Sequence, residues 1–186
     1  MADETATNHE RACDGFAEVA AQVKSWDAPS PCTEWDARAV VEHVIGFHEI
    51  LVLRPLGVKA DRPREDPAAR WKATQAAIVE AISRPGALDD EVDVMGGGKT
   101  GLRNLVATLT TDVLVHSWDL AKAGGVEPKL DTELCTLGYE RAAQNREQFA
   151  KSDMFGDEAK VPDDADVCSK LLGIMGRDPE WKPPRA

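Results

Sequence analysis

The sequence predicts a mainly α-helical fold, and two observations support this prediction. Apolar residues recur with the period of an amphipathic helix through most of the chain. Glycine and proline residues stand between these periodic segments, where they end helices and form turns. A chain of 186 residues is most simply one domain, covering residues 1–186, and it is long enough to bury a sizeable core.

Five helical segments are predicted in chain order, and several of their boundaries carry recognisable signals. Thr33 is the expected N-cap of the second helix, because Asp36 follows three residues later as in a capping box. The third helix ends at Pro85-Gly86 and the fourth at Gly124-Gly125. The predicted helices run from about Thr5 to Val23, Asp36 to Leu53, Ala69 to Ser83, Gly101 to Ala123 and Thr132 to Lys151.

The segments between the helices are predicted to be loops or extended chain. Residues 60–67 are rich in charge and proline and predict a loop. An apolar–polar alternation at residues 92–95 predicts a short extended segment near residues 90–96. The tail after the fifth helix is expected to be irregular. Four or five helices joined by loops and one long crossover suggest a four-helix bundle.

The composition argues against several classes of function. A net charge of −11 speaks against nucleic acid as a partner, because binding phosphates requires clustered lysine and arginine. The acidic N-terminus is unlike a signal peptide, and no apolar stretch approaches the roughly 18 residues of a membrane-spanning helix. The cysteines lie far apart, which favours reduced thiols. We therefore expect a cytoplasmic protein, monomeric or homodimeric, that acts on a small-molecule substrate without membrane or nucleic-acid partners.

An Asp–His pair inside the fourth helix indicates a metal site. Asp112 and His116 stand four residues apart, so they share one face of a helix within a densely apolar zone. An unpaired carboxylate there would be costly, whereas a paired or metal-bound one would not. Together with His43 of the second helix, the pair offers two imidazoles and one carboxylate, a ligand set of catalytic-type divalent metal sites. A structural Asp–His hydrogen bond or a solvent-facing stripe explains the same pattern without a metal.

The second helix contains two histidines, and only one of them can easily face such a site. His48 follows His43 by five residues and is turned away by about 140° on an ideal helix. His43 lies beside Val44 and Phe47, nearer the apolar stripe, so it is the predicted ligand. His48 is expected at the rim or facing solvent, and His9 has no evident partner.

Three segments resemble a known family. They are Pro31-Cys32-Thr33-Glu34-Trp35-Asp36 with the helix that follows, His116-Ser117-Trp118-Asp119-Leu120-Ala121, and Leu172-Gly173-Ile174-Met175-Gly176-Arg177-Asp178-Pro179. In combination they are similar to the actinobacterial metal-binding proteins related to the N-terminal domain of mycothiol-dependent maleylpyruvate isomerase. Those proteins belong to the wider DinB/YfiT-like superfamily. The resemblance spans nearly the whole chain.

The resemblance implies a DinB/YfiT-like four-helix bundle that holds a divalent metal, usually zinc or nickel, near one end. The ligand pattern of the family falls on His43, Asp112 and His116 in this sequence. Asp112 stands where glutamate or histidine is commoner, and its shorter reach leaves both direct and water-mediated ligation open. The long C-terminal domain of the full isomerase has no expected counterpart here, so the resemblance does not by itself imply the exact activity of that enzyme.

The resulting expectation is a metal-dependent thiol transferase or isomerase that uses a low-molecular-weight thiol such as mycothiol. The metal would lower the pKa of a bound water or thiol, giving a nucleophile that adds to a small electrophile. Asp119 is a candidate acceptor that orients His116, although a salt bridge on the helix surface is its simpler role. Trp35 and Trp118 either wall the pocket or pack in the core. A non-catalytic binding protein and a structural homologue with a lost site stay open as alternatives.

Overall fold

The computed structural model describes residues 3–61, 63, 66–94, 98–146 and 157–184, and its regular structure is mainly helical, as predicted. Some residues of the predicted loop 60–67, extended segment 90–96 and fifth helix 132–151 lie outside the described residues. The α-helices are α1 (Glu4–Ala20), α2 (Ala37–His48), α3 (Pro67–Ile82), α4 (Leu102–Gly124), α5 (Thr132–Gln144) and α6 (Val167–Ile174), with strands β1 (Glu91–Val94) and β2 (Gly98–Gly101).

Aspartate side chains begin most of these helices by accepting hydrogen bonds from backbone N–H groups of the first turn. The prediction that Thr33 caps the second helix is wrong, because Asp36 fills that position and accepts from the Ala39 N–H at 2.8 Å. The N–H of Trp35 bonds to the Cys32 carbonyl at 2.9 Å, so this stretch forms a turn and the helix begins only after it. The capping aspartates are Asp3, Asp36, Asp66, Asp131 and Asp166.

Helices α1 to α4 form a ring in which each helix lies against two others. Both α1 and α2 contact α3 and α4, which is the arrangement that a four-helix bundle requires. The consecutive helices α1 and α2 are therefore diagonal to each other, as are α3 and α4. Between the helices, Phe16 packs edge-on against the fully buried Trp71 with ring centroids 4.9 Å apart.

The chain between α3 and α4 contains the extended segment that the sequence predicted near residues 90–96. Strand β1 pairs with β2 in an antiparallel hairpin, and Val92 lies opposite Thr100. Val92 is buried, so the hairpin packs one apolar side chain against the bundle. Among the described helices, no segment combines the length and the apolar character that a bilayer crossing demands.

The prediction of an irregular C-terminal tail is wrong, because α6 forms there and packs against α5. Asp166 caps this helix by accepting from the Ser169 N–H at 3.0 Å. Gly173 permits a close approach, since an added Cβ would lie 2.9 Å from a Val161 methyl group and 3.0 Å from the Ala159 carbonyl. A helix of two turns is too short for its apolar period to be recognised in the sequence. It carries Arg177 to the end of the bundle.

The position of the cap at α2 can be tested by comparing two substitutions. We expect Asp36→Ala to lower the free energy of unfolding by about 1 kcal/mol, because the hydrogen bond to the first turn is lost. Thr33→Ala removes an exposed side chain and should change stability by no more than a few tenths of a kcal/mol. Urea denaturation of both variants measures this difference, and an equal loss in the two would contradict the assignment of the cap.

Candidate metal centre

The three residues predicted as metal ligands lie together between α2 and α4. His43 comes from α2, and Asp112 and His116 come from successive turns of α4. Oδ1 of Asp112 is 3.4 Å from Nε2 of His116 and 3.7 Å from Nε2 of His43. The two imidazole centroids are 4.6 Å apart. The structure thus brings one donor atom of each residue within 4.8 Å of the others, as a shared cation would require.

A cavity of about 670 Å³ opens onto these three side chains. Trp35 lines it and contacts His43 with tilted rings whose centroids are 4.6 Å apart, which favours the role of a pocket wall over packing in the core. Trp118 is buried and packs in the core instead. Besides the three candidate ligands, the lining includes Cys32, Glu34, Trp35, Phe47, Met175 and Arg177. One side of the cluster therefore faces a space that a small molecule can enter.

The charges of Asp112 and His116 depend on each other. Burial by itself raises the pKa of the Asp112 carboxyl, but His116 and His43 lower it more, so its pKa lies well below the usual range. Burial lowers the pKa of His116, whereas Asp112 and Asp119 raise it, and the net pKa lies well above its ordinary value. Without a metal ion, a proton on His116 therefore balances the charge of Asp112, while Arg177 balances that of Asp119. A metal ion bound there would replace that proton.

Asp119 contacts His116 at Nδ1, the ring nitrogen that does not face Asp112. Its carboxylate is fully buried, and Oδ2 accepts a hydrogen bond from Nδ1–H of His116 at 2.9 Å. The alternative role, a salt bridge on the helix surface, is wrong only in its location, because Asp119 does pair with Arg177 at 3.0 Å but its carboxylate is buried. With its Nδ1 proton held by Asp119, a neutral His116 presents the lone pair of Nε2 toward Asp112. This is the arrangement in which protein imidazoles bind metals.

The structure adds two residues that sequence reasoning did not single out. The Nη2 of Arg177 donates to Oδ2 of Asp119 at 3.0 Å, and the thiol of Cys32 donates to the same oxygen at 3.2 Å. Arg177 also lies 3.2 Å from the Cys32 sulfur. Segments 31–36, 116–121 and 172–179 are the three that carry the family resemblance, and their side chains meet at this carboxylate. Their joint appearance in the family resemblance was the only sequence signal that they form one site, because no spacing rule links the three segments.

The expectations for the other two histidines are wrong. His48 was expected at the rim or in solvent, and His9 was expected to lack a partner, yet both are fully buried and their Nε2 atoms are 3.1 Å apart. The helical-wheel reasoning assumed one buried stripe on α2. Because α2 lies between α3 and α4, it is buried on more than one face. His48 therefore enters the core although it points away from His43.

The buried pair of Asp119 and Arg177 gives a test of what holds this end of the bundle together. We expect Arg177→Met to lower the free energy of unfolding by about 3 kcal/mol, since removing one partner leaves the other charge buried and undercompensated. Arg103→Met breaks an exposed pair with Asp3 and Asp89 and should cost far less. Chemical denaturation of both variants provides the comparison. Equal losses would show that Asp119 does not depend on Arg177.

Comparison with known proteins places the chain in a family. A family model described as the mycothiol maleylpyruvate isomerase N-terminal domain matches residues 9–121, a range that includes every candidate ligand and Asp119. Two uncharacterized proteins of Mycobacterium tuberculosis, from strains CDC 1551 and H37Rv, are each 32% identical over 179 residues, covering 91% of this chain and 95% of the relative. No solved structure gives a significant match. The chain therefore belongs to the mycothiol maleylpyruvate isomerase N-terminal domain family.

Proposed function

We propose that the protein binds a divalent metal through His43, Asp112 and His116 and uses it to activate a low-molecular-weight thiol of the mycothiol type. The activated thiol would be transferred to a small electrophile or would isomerise it by reversible addition. The observation that carries this proposal is the convergence of two imidazole nitrogens and one carboxylate oxygen at the floor of a cavity. Family membership supplies the thiol as the expected cosubstrate.

The donor atoms fit a small divalent cation. Ligands at about 2.0–2.1 Å from a tetrahedral zinc ion lie roughly 3.3–3.5 Å from one another. The separations of 3.4 and 3.7 Å around Oδ1 of Asp112 are close to these values without any rearrangement. This supports direct ligation by the shorter aspartate side chain. Oδ2 of Asp112 is buried and has no hydrogen-bond partner among the described residues, so a cation would also stabilise that carboxylate.

The residues around such a site would have separate roles in holding the ligands and in enclosing the substrate. A bound divalent metal lowers the pKa of a coordinated water or thiol, so that a nucleophile exists at neutral pH. Asp119 fixes the orientation of His116 and keeps its Nε2 available as a donor. Trp35, Phe47 and Met175 give the cavity apolar walls, which exclude water from a bound thiol and electrophile. The open side toward the cavity leaves room for substrate, as catalytic metal sites require.

Metal content is the first test of this proposal. Untagged wild-type protein should contain about one zinc or nickel ion per chain, and His116→Ala should reduce the content at this site to background because a principal ligand is lost. Glu42→Gln is the matched control, since Glu42 precedes His43 in the sequence but pairs with Arg70 on α3 at 2.7 Å. Elemental analysis after identical purification measures all three. Metal content that is the same in His116→Ala as in the control, or absent throughout, would overturn the site.

Turnover distinguishes an enzyme from a binding protein. We expect the metal-loaded protein to consume maleylpyruvate or a chloronitrobenzene only when mycothiol is also present, and to lose this activity after chelation. Glu42→Gln should retain the rate and His116→Ala should fall to the uncatalysed rate. Product formation by liquid chromatography is the measurement. Retained thiol affinity with no turnover of either electrophile would instead assign the protein to metal and ligand binding without catalysis.

A further inference from the structure

A second cluster of metal-ligating side chains lies inside the bundle, separate from the residues of the proposed active site. It consists of His9 and Cys13, one turn apart on α1, and His48 on α2. All three side chains are fully buried, and one donor atom of each lies within 4.8 Å of the others. The two helices are opposite members of the ring, so the cluster joins them across the centre of the bundle.

The protonation of His48 is fixed by its backbone partner. Its Nδ1 lies 2.6 Å from the carbonyl oxygen of Val44. A carbonyl oxygen can only accept, so Nδ1 must carry the proton and donate it. Burial lowers the pKa of His48, which keeps the ring neutral. In a neutral ring with the proton on Nδ1, Nε2 has an unprotonated lone pair, and this atom points at His9.

The same reasoning applies to His9. Its Nδ1 lies 3.0 Å from the hydroxyl oxygen of Thr110, and that hydroxyl donates to the carbonyl of Val106 at 2.9 Å. With its proton used in this way, the hydroxyl oxygen accepts from Nδ1–H of His9. Burial also lowers the pKa of His9 well below its usual value, so this ring is neutral too. In this arrangement of protons, the Nε2 lone pairs of the two histidines would face each other across 3.1 Å.

Two facing lone pairs repel each other, and either a proton on one nitrogen or a cation bound by both relieves the repulsion. We propose that Nε2 of His9, Nε2 of His48 and the thiolate of Cys13 bind a metal ion in the centre of the bundle. Two nitrogens bound to one metal at about 2.0–2.1 Å are expected roughly 3.3–3.6 Å apart in tetrahedral or trigonal geometry, so the observed separation of 3.1 Å would lengthen by a few tenths of an ångström when the metal binds. Each imidazole also donates its other N–H to a protein oxygen, as metal-binding histidines usually do.

Charge favours a soft monovalent cation for this site. Cys13 would lose its thiol proton to solvent when the metal binds, because the thiolate is the ligand form. One thiolate and one Cu(I) ion leave the buried group neutral, whereas Zn(II) leaves a net positive charge in a closed site. Thiolate and imidazole together suit Cu(I), which accepts three ligands in place of the four that zinc prefers. The proposed ion is therefore Cu(I).

The metal-free protein has one way to avoid the opposed lone pairs. The Thr110 hydroxyl can turn from Val106 and donate to Nδ1 of His9, which moves the His9 proton to Nε2, where it donates to Nε2 of His48. The site then forms a chain of neutral hydrogen bonds with no role for a metal. The two states differ in the tautomer of His9, and nitrogen chemical shifts of the imidazole distinguish them.

Cu(I) binding tests the proposal in a protein whose first metal site has been removed. In a His116→Gln background under anaerobic conditions, competition with the coloured chelator bicinchoninate should detect about one Cu(I) per chain. Adding Cys13→Ala should weaken binding on the order of 100-fold or more, since even residues behind metal ligands affect affinity 10- to 100-fold. Cys135→Ala is the matched control, because it removes a buried thiol on α5. This control should bind like the background protein.

A second variant separates ligation by the cluster from adventitious binding to thiols. Thr110→Val keeps the shape of the side chain but removes the oxygen that holds His9, and should weaken Cu(I) binding about 10- to 100-fold. Circular dichroism confirms that each variant is folded before titration. The proposal fails if the background protein takes up no Cu(I), if Cys13→Ala and Cys135→Ala weaken binding equally, or if His9 keeps its proton on Nε2 with Cu(I) present. None of these outcomes depends on the thiol chemistry at the first site.

Discussion

The carboxylate of Asp119 is the group on which this end of the structure depends. It is fully buried, and one of its oxygens accepts from His116, Arg177 and Cys32 at 2.9, 3.0 and 3.2 Å. A buried charge with fewer partners would destabilise the fold by several kcal/mol. The turn before α2, the centre of α4 and the segment after α6 must therefore come together around it. The hydrogen bond from His116 to Asp119 also fixes the orientation of His116. The contacts of Asp119 therefore contribute both to the stability of the fold and to the geometry of the site.

Helix α4 carries polar groups through the interior because other helices cover most of its surface. It lies against α1, α2 and α5, and Thr110, His116 and Asp119 are buried, whereas Asp112 is partly exposed at the cavity. A helix that is covered in this way can bury polar side chains only if each finds a partner, either on another element or on its own helix. Thr110 finds His9 on α1, and His116 finds Asp119 and Asp112 on its own helix. The polar interior is thus organised by α4.

Local sequence patterns were sufficient to predict helices α1 to α5 and to bring His43, Asp112 and His116 into one candidate site. The spacing of Asp112 and His116 fixes a shared face, and the apolar neighbours of His43 indicate its direction. The missing information concerned contacts between distant segments. Nothing in a helical wheel of α2 shows that two neighbouring helices bury both sides, which is why His48 was misplaced. Arg177 reaches Asp119 from 58 residues away, and a short helix with no recognisable period determines its position. Such contacts arise from tertiary packing, which a single sequence does not encode as a local pattern.

The two clusters of donor atoms differ in their access to a cavity, and this access decides whether a bound metal can contact a substrate. A cavity of about 670 Å³ adjoins His43, Asp112 and His116. An ion held by these residues would therefore have an open coordination position that a substrate can approach. His9, Cys13 and His48 are enclosed by the bundle and none of their side chains reaches the surface. An ion in that position has no room for substrate and would act by joining α1 to α2. Since binding energy in a closed site stabilises the folded state, an ion in the inner cluster would stabilise the fold, whereas the outer cluster is the one suited to the proposed catalysis.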